Sequence, residues 1–284
     1  MQWRALYGQI GRILFVLTSA SVSLWAADMT PAELVAKHLD SIGSAQARSG
    51  VKSRVVQGPA TYRILAGGSG AIDGRSTFAS EGQKSNVLLK IYASGYRGEQ
   101  FICDGSKISV AGTYADKTRS ELGNFVLGQD VIVKELLGGA WSVGWPLLDI
   151  EGRKAQIHYD GLKKADGRDL LVLRYRPKKG SDLDILLYFD PQTYRHVMTD
   201  YKASRQTGLG LGEIDTARRM PTYYEIEERF SDFQTTDGIT LPTHYDLRFT
   251  AEMQTGFTKS VEWTVKATNI LNNVSIDARS FEVK

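Results

Sequence analysis

Cysteine is almost missing from the sequence, in which Cys103 is the only one among 284 residues. A single thiol excludes an intrachain disulfide, so the fold must be stabilised by its apolar core. Alternation in the segment EQFICDG places Cys103 on a strand, on the face that carries Phe101. No neighbouring residue marks the thiol as a nucleophile, and we predict that it is buried and unreactive.

Histidine and the common catalytic motifs are also scarce. The four histidines are His38, His158, His196 and His244, and no two of them have the spacing of metal ligands. The G-x-S-x-G elbow of serine hydrolases and the Gly-Lys pair of phosphate-binding loops are both missing. His158 and His244 fall on the solvent face of their predicted strands, and we interpret His196 as a strand-surface residue near aspartates. The sequence therefore predicts no catalytic residue, no metal and no cofactor.

Long apolar runs are confined to the N-terminus. Arg4 and Arg12 precede an apolar run at residues 13–24, and small residues follow it, as in a secretory leader. A membrane anchor is the alternative, but a span needs about 20 apolar residues, and this run contains serine and threonine. We predict a signal peptide at residues 1–26, a periplasmic location, and a single domain at residues 27–284.

The predicted mature chain is close to neutral. Loss of Arg4 and Arg12 with the leader lowers the net charge from +3 to +1. Charges of both signs are dispersed along the chain, whereas a protein that binds nucleic acid carries a basic stripe. We therefore predict that nucleic acid is not a partner.

What the sequence has in abundance is period-two alternation, which one helix precedes. Thr30 as N-cap, Pro31 in the first turn and Glu33 at capping-box spacing predict that helix. It ends at Gly43, and His38 lies at the border of its apolar face. About a dozen alternating segments follow, joined by short turns. Short links require antiparallel neighbours, and a sheet of this width must curl or close because its twist accumulates.

Three further segments have recognisable local patterns. Asp190 and Pro191 predict a type I turn, from which the chain returns in a strand over residues 194–201. The glycine-rich stretch at residues 205–221 lacks the spacing of a dinucleotide fingerprint, and we interpret it as a mobile rim loop. Glu225, Glu227 and Arg229 share one face of a predicted strand, which predicts a surface salt-bridge ladder.

Residues 118–149, which we call the insert, interrupt the alternation. Leu122, Phe125 and Val126 have helical spacing, and so does a second group, Val133, Leu136 and Leu137. We predict two short helices, the second with Asp130 as its N-cap, followed by Trp141 and Trp145. The predicted fold class is α+β, a curved antiparallel β-sheet of about a dozen strands that forms an incomplete barrel, with short helices in its concave face.

Three phrases of the sequence are similar to a known family. They are LLYFDPQTYRHVM, FSDFQTTDGITLPTHYDLRF and the closing NNVSIDARSFEVK. With the leading helix and the wide meander, they resemble the periplasmic lipoprotein carriers of the LolA/LolB type. The resemblance implies an incomplete barrel whose cavity, lidded by helices, takes acyl chains. It also implies partners, namely lipoprotein or lipid acyl chains and envelope membrane proteins, and a role without catalysis.

We therefore expect a carrier or sensor that binds acyl chains in an apolar cavity. The residues expected to contact the ligand are apolar residues of the insert and of the concave sheet face: Leu89, Ile91, Phe101, Phe125, Val126, Leu136, Leu137, Trp141, Trp145, Tyr245, Leu247, Phe249, Val261 and Trp263. The same residues also fit a dry core without a cavity. Two other functions stay open: an envelope protein-interaction module without lipid, and a hydrolase built on Glu225 and Glu227.

Overall fold

The computed structural model describes residues 29–111, 118–205, 222–253 and 256–283. The predicted signal peptide and, apart from Arg205, the predicted rim loop lie outside these residues. The described helices are α1 (Pro31–Ile42), α2 (Ala45–Gly50), α3 (Glu121–Leu127) and α4 (Ile150–Arg153). The described strands are β1 (Ser53–Ala66), β2 (Gly70–Glu81), β3 (Lys84–Ile91), β4 (Gly98–Cys103), β5 (Ile108–Ala111), β6 (Gln156–Ala165), β7 (Arg168–Arg176), β8 (Asp184–Phe189), β9 (His196–Arg205), β10 (Thr222–Thr236), β11 (Ile239–Glu252), β12 (Thr258–Lys266) and β13 (Asn269–Asn272).

All these strands belong to one antiparallel sheet. Their order is β5-β4-β3-β2-β1-β12-β11-β10-β9-β8-β7-β6, and β13 pairs with β1 beyond the end of β12. β1 is therefore central and joins the early strands to the late ones. β5 and β6 lie at the two ends of the order, so the barrel is not closed. The predicted fold class is confirmed.

The leading helix α1 begins as predicted. The Glu33 backbone amide donates to Thr30 Oγ1 at 3.2 Å, and the Thr30 amide donates to Glu33 Oε2 at 2.8 Å. At the other end, Gly43 lies against the turn between β10 and β11, where a Cβ atom would come within 2.3 Å of the Gly238 carbonyl oxygen. Glycine is required there by this close approach. α2 was not predicted. None of the helices formed by the described residues is both apolar enough and long enough to cross a bilayer.

The insert lies between β5 and β6 and differs in part from its prediction. α3 carries the first predicted group, but the second forms a π-helical turn, Ile132–Leu136, without a side-chain cap. Asp130 is therefore not an N-cap, and its carboxylate pairs with Lys134 at 2.5 Å. Two 3₁₀ turns follow, Gly139–Trp141 and Pro146–Leu148. Gly138 and Gly139 both have positive φ, +81° and +51°, which ends regular helix at this point.

A turn capped by Asp190 forms, but it is closed by the Tyr194 amide on the Asp190 carbonyl at 2.8 Å, and its returning strand begins later than predicted. The Asp190 carboxylate accepts from the Gln192 and Thr193 amides at 3.1 and 2.8 Å. Tyr194 has φ +56° and still belongs to the turn, so β9 begins at His196.

Candidate functional site

All fourteen residues predicted to contact a ligand are buried, and all lie in one apolar cluster between the sheet and the insert. Trp141 is typical, with ring centroids 4.9 Å from Phe78 and 5.2 Å from Tyr245. Two cavities border the insert, of about 10 and 30 Å³. Each has room for one or two water molecules. The structure therefore brings the predicted residues together in a closed, densely packed arrangement; whether they bind a ligand stays a prediction.

The indoles of the insert are hydrogen-bonded to the surrounding fold. Trp141 Nε1 donates to the Pro242 carbonyl at 2.8 Å, and Trp145 Nε1 donates to His38 Nε2 at 3.1 Å. His38 Nδ1 lies 3.1 Å from the Tyr194 carbonyl. Since Nε2 accepts the indole proton, Nδ1 carries the imidazole proton and donates it to this carbonyl. Burial lowers the pKa of His38 to about 4, so the imidazole is neutral at pH 7.

The sequence predicts His196 on the strand surface, and this prediction is wrong. In the structure, His196 is 97% buried beside the insert. Its ring lies 5.0 Å from Trp145 and 4.8 Å from Phe230, and its Nε2 is 2.9 Å from Thr199 Oγ1. The prediction was wrong because the pairing of β8 with β9 shifts register at Phe189, which turns His196 to the concave face. Burial holds the pKa of His196 well below its ordinary value.

Glu228 is a buried carboxylate that connects the sheet to the insert. Its Oε1 accepts from the Gly138 amide at 2.7 Å and from the Tyr245 hydroxyl at 2.8 Å, and its Oε2 accepts from the Tyr201 hydroxyl at 2.5 Å. Complete burial raises the pKa of Glu228 to about 7, although these three donors favour the ionised form. Sequence reasoning missed this role. Alternation contained the signal, because it places Glu228 on the same face as Ile226 and Phe230.

Arg54 of β1 also reaches the insert from the concave face. Its Nη1 donates to the Ala140 carbonyl at 2.7 Å, and its Nε donates to Asn272 Oδ1 at 2.8 Å. Burial lowers the pKa of this guanidinium to about 10. This contact was also missed in the sequence, where Arg54 alternates with the buried Val56.

The glutamates considered for catalysis lie on the outer face, turned away from the insert. Glu225 pairs with Lys202 at 3.0 Å, and Glu227 pairs with Arg229 at 2.8 Å and with Arg248 at 3.7 Å. The predicted salt-bridge ladder is confirmed, and it extends to both neighbouring strands, through Lys202 of β9 and Arg248 of β11.

No family model matches the chain, and no curated protein matches it. Solved structures are similar to it over most of its length. A DUF1329 family protein from Desulfovibrio piger is 14% identical with a TM-score of 0.47, and the match covers 89% of this chain and 98% of that one. A LolA superfamily protein from Nitrosomonas europaea is 13% identical with a TM-score of 0.42 and the same coverage. A putative outer membrane lipoprotein-sorting protein domain from Vibrio parahaemolyticus is 12% identical with a TM-score of 0.40, covering 87% and 97%. One of the three is described as a LolA superfamily protein, and another as a putative outer membrane lipoprotein-sorting protein domain.

Proposed function

We propose that the protein is an exported, non-enzymatic carrier or sensor of lipoprotein or lipid acyl chains, which enter between the concave sheet face and the insert. The observation that carries this proposal is the way the insert is attached. Its elements are the short helix α3 and irregular turns, and none of them is a strand paired to the sheet. Among its polar contacts with the sheet are hydrogen bonds to Glu228, Arg54 and the Pro242 carbonyl.

An acyl chain has to displace part of the insert to enter. The cavities beside the insert are too small for a chain, since pockets for ligands of drug size measure about 300–1,000 Å³. The apolar side chains that now pack between the insert and the sheet would line the pocket around the bound acyl chain. The described arrangement is in this proposal the closed, empty state.

Brominated fatty acid tests the proposal directly, because bromine quenches an adjacent indole. The mature chain without the leader has three tryptophans, and the Trp263→Phe variant leaves only Trp141 and Trp145 in the insert. We expect saturable quenching of these two indoles. An absence of saturable quenching in both the wild type and this variant would contradict the proposal.

A substitution in the insert gives the matched comparison. Leu137 is buried, and Glu at this position places an unpaired carboxylate against the pocket, which costs several kcal/mol or forces protonation. We expect weaker probe binding while the circular dichroism of the sheet is retained. Leu127→Glu is the control, since Leu127 lies on α3 and is 39% exposed. If Leu137→Glu unfolds the whole domain, the insert is a core element and the proposal fails.

Export is tested separately. N-terminal sequencing of the protein from the envelope is expected to begin within a residue or two of Ala27. An exported form that begins at Met1 would contradict this part of the proposal.

A second candidate function, an envelope protein-interaction module, has one observation in its favour. An open groove of about 280 Å³ lies between the start of β11 and β13, because β12 pairs with β11 only from His244 onward and β13 pairs with β1. An extended segment of an envelope protein fits such a gap by strand addition. Native mass spectrometry of the protein from its own envelope distinguishes the candidates: bound lipid favours the carrier, and a bound protein without lipid favours the module. Leu271→Lys in the groove should then release that protein, while Leu162→Lys, equally exposed on β6, should not.

A hydrolase on Glu225 and Glu227 is the least supported function. Both carboxylates are paired with cations on the outer face, away from the buried site. Loss of a measured hydrolytic activity on changing either one to Gln would be needed to support it.

A further inference from the structure

Arg54 is a buried cation whose hydrogen-bond partners are neutral. Its side chain is 5% exposed, and it donates to one carbonyl and one amide oxygen. Among the residues that the structure describes, no carboxylate forms an ion pair with this guanidinium. Removing a charge from water without an opposite charge nearby is expensive. The arrangement is therefore incomplete in electrostatic terms.

A second guanidinium lines the same cleft. Arg48 of α2 donates through Nη1 to the Leu39 carbonyl at 2.6 Å and to the Gly43 carbonyl, and it lies 3.5 Å from Asp40 Oδ1. Asp40 is largely exposed, so water screens this ion pair. The hydrogen bonds of Arg48 use one of its three nitrogens and leave further N–H groups for a ligand.

The cleft lies between the α1–α2 corner and the insert, and it is open to solvent. Arg48, Arg54 and Ser142 are its polar residues, and the rest of its lining is largely apolar: Ile42, Val51, Val143, Trp145, Leu148 and Ile239. Its volume of about 30 Å³ admits one or two oxygens of an anionic group, and its open side leaves room for the rest of the group. Two cations and a hydroxyl beside apolar walls are the chemistry that recognises such a group.

We propose that this cleft is a binding site for an oxyanion, a phosphate or carboxylate group held by Arg54 and Arg48. The planar fork of a guanidinium matches both anions with two parallel hydrogen bonds. Arg54 also donates to Ala140 of the insert, so a bound anion lies at the contact between β1 and the insert. The inference goes beyond the acyl-chain function and does not depend on it, because inorganic phosphate alone tests it.

Titration calorimetry of the mature chain with inorganic phosphate, at ionic strength held constant with sodium chloride, is the decisive experiment. We expect saturable binding of one phosphate and at least a tenfold weaker affinity in Arg54→Lys, which keeps the charge but loses the fork. Arg48→Lys should weaken binding as well, and it decides the matter if Arg54→Lys does not fold. Arg63→Lys is the control, because Arg63 lies on the same strand β1 but on the outer face, half exposed. Its affinity for phosphate should equal that of the wild type.

Two amphiphiles distinguish a lipid head group from a free anion. Decyl phosphate should bind at least tenfold more tightly than inorganic phosphate if the anion belongs to a lipid, and equally tightly if the anion is free. The affinity for decanol, which lacks the charge, should be the same in the wild type and in both arginine variants. The proposal is overturned if neither phosphate probe binds saturably, or if the folded arginine variants bind phosphate as the wild type does.

Discussion

Glu228 is the residue through which three strands and the insert meet, and its ionisation is opposed by burial. The unfolded carboxyl loses its proton near pH 4.5, whereas in the folded chain the pKa is raised to about 7. Between these values folding takes up a proton. The contribution of Glu228 to stability is therefore present below pH 4.5 and is lost as the pH rises through about 7.

Glu228→Gln should reverse this loss, because the amide keeps the shape and cannot ionise. Relative to the wild type, the free energy of unfolding of the variant should increase by about 3 kcal/mol between pH 4.5 and pH 8. Urea denaturation at a series of pH values measures the difference. Glu225→Gln, on the outer face of the same strand, controls for the loss of a charge. A difference that stays constant with pH for Glu228→Gln would show that this carboxyl does not titrate in that range.

Cys103 was predicted from alternation to be buried beside Phe101, and the structure confirms both points. Burial raises the pKa of the thiol above its ordinary value, so little thiolate forms at pH 7. We expect thiol reagents to label the native protein far more slowly than the protein in denaturant. Rapid labelling without denaturant would mean that β4 opens readily or faces the other way.

The elements differ in how far their sequences determine them. Strands and the first helix follow from periodicity and capping, since Thr30, Pro31 and Glu33 suffice to locate the start of α1. The insert could be recognised as apolar, but its π-helical and 3₁₀ turns have no repeat that sequence spacing reveals. Glu228 was missed for another reason: a polar residue on a strand is expected to face solvent, although buried polar groups persist where partners satisfy them. His196 was missed because the register shift at Phe189 reverses the face on which it lies.

The junction between the π-helical turn and the next 3₁₀ turn depends on Gly138. Its φ of +81° disfavours any side chain, and a Cβ atom would lie 3.2 Å from the Phe78 ring. Gly138→Ala should therefore cost backbone strain, disturb this contact and weaken the bond to Glu228. Gly180→Ala, at φ +72° with open space around it, should cost the strain alone, about 1 kcal/mol. Thermal melts of the two variants make the comparison, and equal losses would mean that the junction can relax freely.

At the scale of the whole molecule, the number and direction of strands were predictable but their order was not. Short links determine that neighbours in sequence are antiparallel. The pairing of β1 with β12 joins residues about 200 positions apart, as in Ala60 with Val265, and no local signal specifies it. The same holds for the closeness of the buried ionisable groups, which come from separate strands and from α1.

The buried carboxyls and the buried imidazoles change the free energy of unfolding in opposite directions as the pH rises. Glu99, Asp200 and Glu228 have raised pKa values, about 7, 6 and 7, because burial disfavours their ionised forms. Each therefore takes stability away as the pH rises from its unfolded value to its folded one. His38, with a pKa lowered to about 4, and His196, with a pKa that burial holds well below its ordinary value, act in the opposite direction. Their contributions are present above pH 6.5 and are lost as the pH falls.

Three carboxyls against two imidazoles predict a stability that falls between pH 4.5 and pH 6, and that falls again between pH 6.5 and pH 7. Each group changes the free energy of unfolding by about 1.4 kcal/mol per pH unit. Between pH 4.5 and 6 the three carboxyls outweigh the two imidazoles by one group, so the free energy of unfolding falls with pH. Above pH 6.5 the imidazoles no longer contribute, and Glu99 and Glu228 make it fall. The double variant Glu99→Gln with Glu228→Gln leaves one carboxyl against two imidazoles. Its stability should instead rise between pH 4.5 and 6.5, whatever constant cost the two amides bring. Urea denaturation across this range measures both slopes, and a double variant whose stability still falls with pH would mean that other groups control the pH dependence.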